Sequence, residues 1–231
     1  MSQVIQETAA ADVVLEELLD TRFSCRAFLD RRVDRATIGR VLRLAQRSPS
    51  WCNVQPWQVI VTEGQATERL RDAATDFAGT AAVQPDVPFP AQYEGVFQQR
   101  RRDCAWQLYD SVGIEKGDRA ASAGQVAKNF EFFGAPHVAI ITTEQALGTY
   151  GAIDCGLYLG YFLLAAQSMG LASISQAALG AVSPVIREQF ELPDERQVLF
   201  GVSFGYADES HPANRFRTTR AELDDVVTWA S

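Results

Sequence analysis

The chain has 231 residues, enough to bury a sizeable core, and its 47% hydrophobic and 22% charged residues are ordinary for a soluble globular protein. A net charge of −8 argues against nucleic acid and anionic membranes as general partners. Four cysteines without a C-x-x-C pair, and only two histidines, argue against a tetrahedral zinc site and for an intracellular protein with free thiols. No metal is expected. Residues 1–11 carry no Lys or Arg and no apolar h-region, and the longest apolar stretch, Gly156 to Ala166, is too short to span a bilayer. A cytoplasmic protein is expected.

Asp12 can cap a first helix carrying Val13, Val14, Leu15, Leu18 and Leu19. The segment Arg22-Phe23-Ser24-Cys25-Arg26-Ala27-Phe28 follows without helical period. Asp34 then caps a second helix with Ile38, Val41, Leu42 and Ala45 on one face, which stops before Pro49.

Next comes Pro49-Ser50-Trp51-Cys52-Asn53-Val54-Gln55-Pro56-Trp57. Two prolines bracket a hydroxyl and two amides, so the backbone is held open. Asn53 and Gln55 present donors and acceptors in fixed forks, suited to a flat heterocycle edge or a polyol. This is a candidate binding loop. The alternative is a plain helix–strand connection with Trp57 in the core.

Gln58 to Thr62 reads as a first strand, and a helix follows around Ala66–Ala74. Pro85, Pro88 and Pro90 make residues 79–90 a loop. Tyr93, Phe97, Cys104 and Leu108 have helical spacing, and Asp118 can cap a helix carrying Val126, Ala127, Phe130 and Phe133. At this spacing Phe130, Phe132 and Phe133 read as core. Val138 to Thr142 is apolar enough to be a central strand.

Residues 149–169 form the longest helix, apolar nearly all round, so its own sheet or a second subunit must cover it. Gly151, Gly156 and Gly160 would let another helix approach closely. Ala172 to Gln176 is a third strand, and Ser183-Pro184 starts a helix ending near Phe190. Gln197 to Tyr206 is a fourth strand and Asp224 to Trp229 a fifth. Helices and strands mix without regular βαβ alternation, so the class is α+β.

Against the acidic background, two arginine clusters stand out: Arg22 with Arg26, and Arg215 with Arg217 and Arg220. Either could be solvated surface charge. Gly201-Val202-Ser203-Phe204-Gly205 matches the G-x-S-x-G nucleophile elbow, but the run continues as strand and only His211 follows. A serine hydrolase using Ser203 is therefore a remote reading. No G-x-G-x-x-G follows a strand, so no dedicated Rossmann site for NAD(P)H is visible.

Four segments, in order and spanning essentially the whole chain, resemble the FMN-dependent nitroreductase family. Arg22 to Phe28 is similar to its R-x-S-x-R/K-x-F motif, and Pro49 to Trp57 to its P-S-x-x-N-x-Q-P-W loop. Asn129 to Pro136, and the run from Gly170 through Gln176-Ala177-Ala178 to Asn214–Arg220, look most like the nitrobenzoate-type NAD(P)H nitroreductase branch.

The resemblance implies a central mixed, mostly antiparallel sheet flanked by helices. It also implies an intertwined homodimer with the C-terminal strand exchanged to the partner sheet. Residues 1–231 would form one FMN-binding domain, with 76–127 as a variable helical excursion near the active site. The cofactor would be FMN, with NAD(P)H as transient electron donor and a nitroaromatic or quinone as the small-molecule acceptor. With one face serving both reactants, the kinetics would be ping-pong.

By the same resemblance, Arg22 and Ser24, in one motif with Phe23, lie near ribityl and phosphate. Arg220 closes on the phosphate with Arg217 as helper. Arg26 is the cation beside N1 and O2, where a fixed positive charge favours the reduced ring. Backbone N–H groups of Gln176, Ala177 and Ala178 face N5, so no catalytic side chain is required. Pro49, Ser50, Trp51, Asn53 and Gln55 reach the flavin of the other subunit. Trp51 and Cys52 stand where the family often has small residues; they shape the substrate side or pack against the partner. Relatives on this scaffold also reduce free flavin, halogenated or saturated compounds, and a flavin-binding protein without turnover is a further alternative.

Overall fold

His137–Glu144 (β2) is the axis of the fold, which a computed structural model describes for residues 2–80 and 82–230, with side chains from residue 11 onward. Seven of its eight residues are buried, so both neighbours must be strands. β1 (Gln58–Glu63) pairs on one side and β4 (Arg196–Gly205) on the other, and β3 (Ala172–Gln176) completes the order β1-β2-β4-β3. All three ladders are antiparallel, and the expected mixed character reduces to one parallel bridge between Ser24 and Ser173.

Period-two alternation divides β2 between two layers. Val138 and Ile140 pack with Leu70, Leu179 and Ile186, under α3 (Gln65–Thr80) and α7 (Ser183–Phe190). Ala139 and Ile141 pack with Val41, Tyr158 and Phe162, under α2 (Arg35–Ala45) and α6 (Gly148–Ser168). Burying one such side chain contributes about 1.5–3 kcal/mol. These two clusters, rather than helix propensity, hold the layers together.

His137 ties the start of α2 to the sheet. Its Nε2 accepts from Val33 N at 3.0 Å and its Nδ1 faces Thr62 O at 3.1 Å, so the ring is neutral with its proton on Nδ1. Burial pushes its pKa below the usual 6.5. The unfolded chain therefore binds a proton near 6.5 that the folded chain refuses. Stability is complete above about pH 6.5 and falls as the pH drops through that value. Denaturant titrations between about pH 7 and pH 5 should show this loss, and His137→Gln should flatten it.

Four elements differ from expectation. The first helix, α1, runs Ser2–Thr21, so Asp12 lies inside it and does not cap it. Ala9-Ala10-Ala11, the strongest helix formers, carry the helix back past that point. α4 (Gly95–Ser111) and α5 (Arg119–Ala127) are the two helices expected in this stretch, but α5 stops short of Phe130. Asn129 Nδ2 closes its end on Val126 O at 2.9 Å, and left-handed Phe132 and Phe133 (φ 56° and 53°) turn the chain into the core.

Ser183 is already helical, and its hydroxyl donates to Gly180 O at 2.7 Å rather than capping α7. The fifth strand is absent among the described residues. Leu223–Asp225 is a single 3₁₀ turn, and Leu223, Val226 and Trp229 are exposed. A strand exists only where its backbone finds a partner edge.

α6 is covered on one side only. Cys155, Tyr158, Phe162 and Ala166 are buried, whereas Tyr150, Ile153, Leu157 and Tyr161 face outward with Gly156 and Gly160. Gly151 does not share that outer face: a Cβ there would meet Leu147 Cβ at 2.8 Å and Thr143 Oγ1 at 2.9 Å. It serves the chain's own packing. Among the described residues no helix is long and apolar enough to cross a membrane.

Candidate active site

Arg22 N closes the last turn of α1 on Leu18 O at 3.2 Å. From there the chain runs extended beside β3: Ser24 bridges Ser173, Cys25 N donates to Ser173 O at 3.1 Å, and Phe28 bridges Ala207. Alternate residues of an extended segment share a face. Arg22, Ser24 and Arg26 accordingly line one cavity, while Cys25 is fully buried. Burial pushes the Cys25 thiol up to about 11, so it stays a protonated packing residue.

One buried amide brings the far end of the chain to this strip. Asn214 Oδ1 accepts from Arg26 N at 2.7 Å, and its Nδ2 donates to Ala27 O at 2.9 Å and Asp208 O at 2.8 Å. The Arg217 guanidinium lies over the Phe23 ring at 4.0 Å, and that of Arg26 over Phe216 at 5.4 Å. Arg220 Nη1 donates to Thr218 Oγ1 at 2.9 Å. Arg215 turns away, to Ser210 O at 2.8 Å.

Arg22, Arg26, Arg217 and Arg220 thus converge on a cavity of about 310 Å³. None of the four is ion-paired among the described residues, although Asp20 lines the same cavity. Burial, and then the charge of Arg220, hold the Arg22 pKa below its ordinary value; burial does the same at Arg26. Arginine does not give up its proton at ordinary pH. The cost of facing like charges is what a bound dianion would offset.

A second cavity, of about 230 Å³, shares Arg26 with the first. Gln176, Ala177 and Ala178 form one of its walls. The Gln176 side chain is withdrawn into the protein, where Nε2 donates to Asn129 O at 2.8 Å and Oε1 accepts from Ser203 Oγ. A 3₁₀ turn starts at Ala177, so its first N–H groups have no earlier carbonyl to bond. Leu108 and Tyr109 of α4, Gln125 of α5, and Phe133 supply the other walls. The Gln125 side chain is buried and its Nε2 has no partner. An unmatched buried amide costs about 1–3 kcal/mol.

The loop 49–57 sits elsewhere. Asp154 of α6, itself buried, accepts Trp51 N through both oxygens at 3.2 Å. Ser50 Oγ accepts Gln55 N at 2.9 Å, and Gln55 Nε2 reaches Asn53 Oδ1 at 3.2 Å. Cys52, Asn53 and Gln55 hold left-handed φ values of 51°, 55° and 51°. For residues with a Cβ that conformation costs on the order of 1 kcal/mol each.

Trp51 packs on Tyr150 with ring centroids 4.5 Å apart, and with Cys52 lines a third cavity, of about 330 Å³. Trp57 is core, stacked on Tyr158 at 5.0 Å. Trp57 thus takes the core place of the plain-connection reading, while residues 51–55 are exposed. None of residues 49–55 lines either of the first two cavities.

The predicted site residues fall into two groups within one chain. The arginines, Phe23, Ser24 and residues 176–178 come together; Pro49 to Gln55 do not join them. Tyr109, Gln125 and Phe133 line the second cavity and Asn214 braces Arg26, and none of the four was among the predicted site residues. Asn214 heads the arginine run and was within reach of a sequence reading. Gln125 left no signal, because burial of one amide has no period. Ser203 is fully buried inside β4, so its hydroxyl cannot serve as an exposed nucleophile. Among the described residues no cluster of three His, Cys, Asp or Glu could hold a metal.

The donor set fits the flavin mononucleotide that the sequence resemblance implies. Guanidiniums without ion pairs suit the phosphate, backbone N–H groups at the start of a 3₁₀ turn suit the ring edge, and Arg26 lines both cavities. The profile of the nitroreductase family matches residues 19–206. The chain belongs to the nitroreductase family.

Nitroreductase NfnB of Mycolicibacterium smegmatis is 33% identical over 216 residues, covering 93% of this chain and 92% of that one. Nitrobenzene nitroreductase of Ectopseudomonas oleovorans is 32% identical over 218 residues, covering 93% and 96%. The crystal structure of the FMN-dependent nitroreductase NfnB from Mycobacterium smegmatis in complex with NADPH superposes with a TM-score of 0.92 at 32% identity, covering 96% of this chain and 100% of that one. The antiparallel sheet and its two helical layers are thus the nitroreductase fold.

Proposed function

We propose that this chain is an FMN-dependent oxidoreductase that takes hydride from NAD(P)H and reduces nitroaromatic or quinone-type acceptors. The observation that carries this is the meeting of Arg22, Arg26, Arg217 and Arg220, unpaired and from opposite ends of the chain, at a cavity that continues past Arg26 toward Ala177 and Ala178. In this reading Arg22 and Arg220 grip the phosphate, Arg217 assists, and Ser24 contacts the ribityl chain. Arg26 holds its charge at one ring edge, and the backbone of residues 176–178 donates at the other. When bound, FMN supplies a two-electron carrier that accepts hydride and passes it on. Apolar side chains such as Leu108 and Phe133 keep water from the ring.

The working unit in this reading is a cytoplasmic homodimer of single-domain chains. The loop 49–55 stands apart from its own chain's arginines, so its amides serve the site of a second copy, as the resemblance implies. The uncovered face of α6 and the exposed Leu223, Val226 and Trp229 give that copy a surface, and the tail would gain there the strand pairing it lacks alone. Trp51 and Cys52 would close the acceptor side, and the excursion over residues 76–127 would roof it.

Purified protein should show the absorbance bands of oxidised flavin. These should bleach on anaerobic addition of NADPH or NADH and return on adding nitrobenzene. Because one cavity admits one reactant at a time, double-reciprocal plots should be parallel. A colourless protein that takes up no FMN would sink the reading; tight flavin with no electron transfer would leave a flavin-binding protein in its place.

A further inference from the structure

The G-x-S-x-G run of β4 has a use that is not nucleophilic. In an extended strand Gly201, Ser203 and Gly205 share one face. A Cβ on Gly201 would run into Leu179 of the 3₁₀ turn Ala177–Val182, and one on Gly205 would meet Pro136 Cδ at 2.8 Å. The glycines therefore let that turn and the Pro136 loop sit directly on the strand. Between them Ser203, fully buried, donates its hydroxyl proton to Gln176 Oε1.

Gln176 is itself buried, and its side chain is held at both ends. Nε2 donates to Asn129 O at 2.8 Å. A carbonyl only accepts, so the amide cannot turn round, and its oxygen must take the serine proton. The backbone of Gln176 is held as well, opposite Gly201 in the ladder of β3 and β4. Any shift at this residue leaves a buried polar group without its partner. The chain turns immediately after it, and Ala177 and Ala178 line the cavity that Arg26 shares.

We propose that Ser203 is a positioning residue, which through the side chain of Gln176 fixes the backbone N–H groups of Ala177 and Ala178 at flavin N5. The assignment rests on the FMN-binding part of the reading above. Oxidised N5 accepts a hydrogen bond, whereas reduced N5 carries a hydrogen of its own. Donors fixed at N5 therefore favour the oxidised ring and lower its midpoint potential, opposing the pull of Arg26 toward the reduced ring.

The test compares midpoint potentials of holoenzyme, titrated with dithionite against a reference dye, for Ser203→Ala, Gln176→Met and the double variant. Ser203→Ala should shift the equilibrium about tenfold toward reduced flavin, about 30 mV for two electrons. Gln176→Met should shift it at least as far. The double variant should match Gln176→Met within about twofold, because a serine acting through Gln176 then has nothing to act on. Val41→Ala, which loosens the opposite layer of the core, should leave the potential unchanged.

An unchanged potential in Ser203→Ala would overturn the assignment. So would shifts that add in the double variant, or a shift that Val41→Ala reproduces. If Ser203→Ala does not fold, Ser203→Cys, close in size with a weaker donor, should shift the potential the same way by less, and no shift there would overturn the assignment equally. Dithionite needs no nicotinamide, so flavin that binds but is not bleached by NADPH would overturn the oxidoreductase reading alone. A protein that takes up no FMN would overturn both.

Discussion

Replacing Arg22 and Arg220 together with alanine is expected to weaken FMN binding by about a hundredfold or more, with little change in the stability of the cofactor-free protein. Each charge-assisted hydrogen bond to a phosphate is worth about 1.5–3 kcal/mol, and losing two removes at least two decades of affinity. The cost to folding is small for a different reason. The two guanidiniums repel one another, and among the described residues neither carries an ion pair whose partner would be stranded. Quenching of flavin fluorescence on titration with apo-protein reads the affinity, and a thermal scan of the same apo-protein reads the fold. A collapsed scan would make these arginines structural, and an unchanged affinity would move the phosphate elsewhere.

Mixing two crippled variants is expected to restore flavin binding that neither shows alone. One variant is Arg22→Ala with Arg220→Ala. The other is Asn53→Gly with Gln55→Gly, where glycine accepts the left-handed backbone while removing the amides. In a mixed dimer one site joins both damaged halves and the other joins both intact ones. Random exchange of subunits in equal mixture then restores about a quarter of the wild-type sites. Flavin retained after gel filtration counts them. No recovery after demonstrated subunit exchange would place the loop's amides on the flavin of their own chain, or away from flavin altogether.

What was legible in the sequence was local. Arg22, Ser24 and Arg26 alternate because the segment is extended, and a period of two needs no tertiary information to read. The Asp34 cap was legible for the same kind of reason: its carboxylate accepts Thr37 N at 2.9 Å, a contact within one helical turn. Val138 to Thr142 announced a central strand through composition alone.

Errors gathered where a long-range partner decides the outcome. The tail from 224 to 229 has strand-forming residues but no edge in its own chain. α5 ends early because Phe132 is drawn into the core. Gln125 looked like any surface amide.

By itself the sequence determined the fold class, the two arginine clusters and the open, proline-bracketed loop, because these rest on periods, caps and residue chemistry a few positions long. Only the tertiary structure decided that Asn214 brings the two clusters together and that Asp154 holds the loop away from them. It also decided that Gln125, an amide with an unmatched buried Nε2, lines the cavity that Arg26 shares. The physical reason is common to all three. Each depends on one buried polar group meeting, or failing to meet, a partner far away along the chain, and such a meeting leaves no pattern in the order of residues.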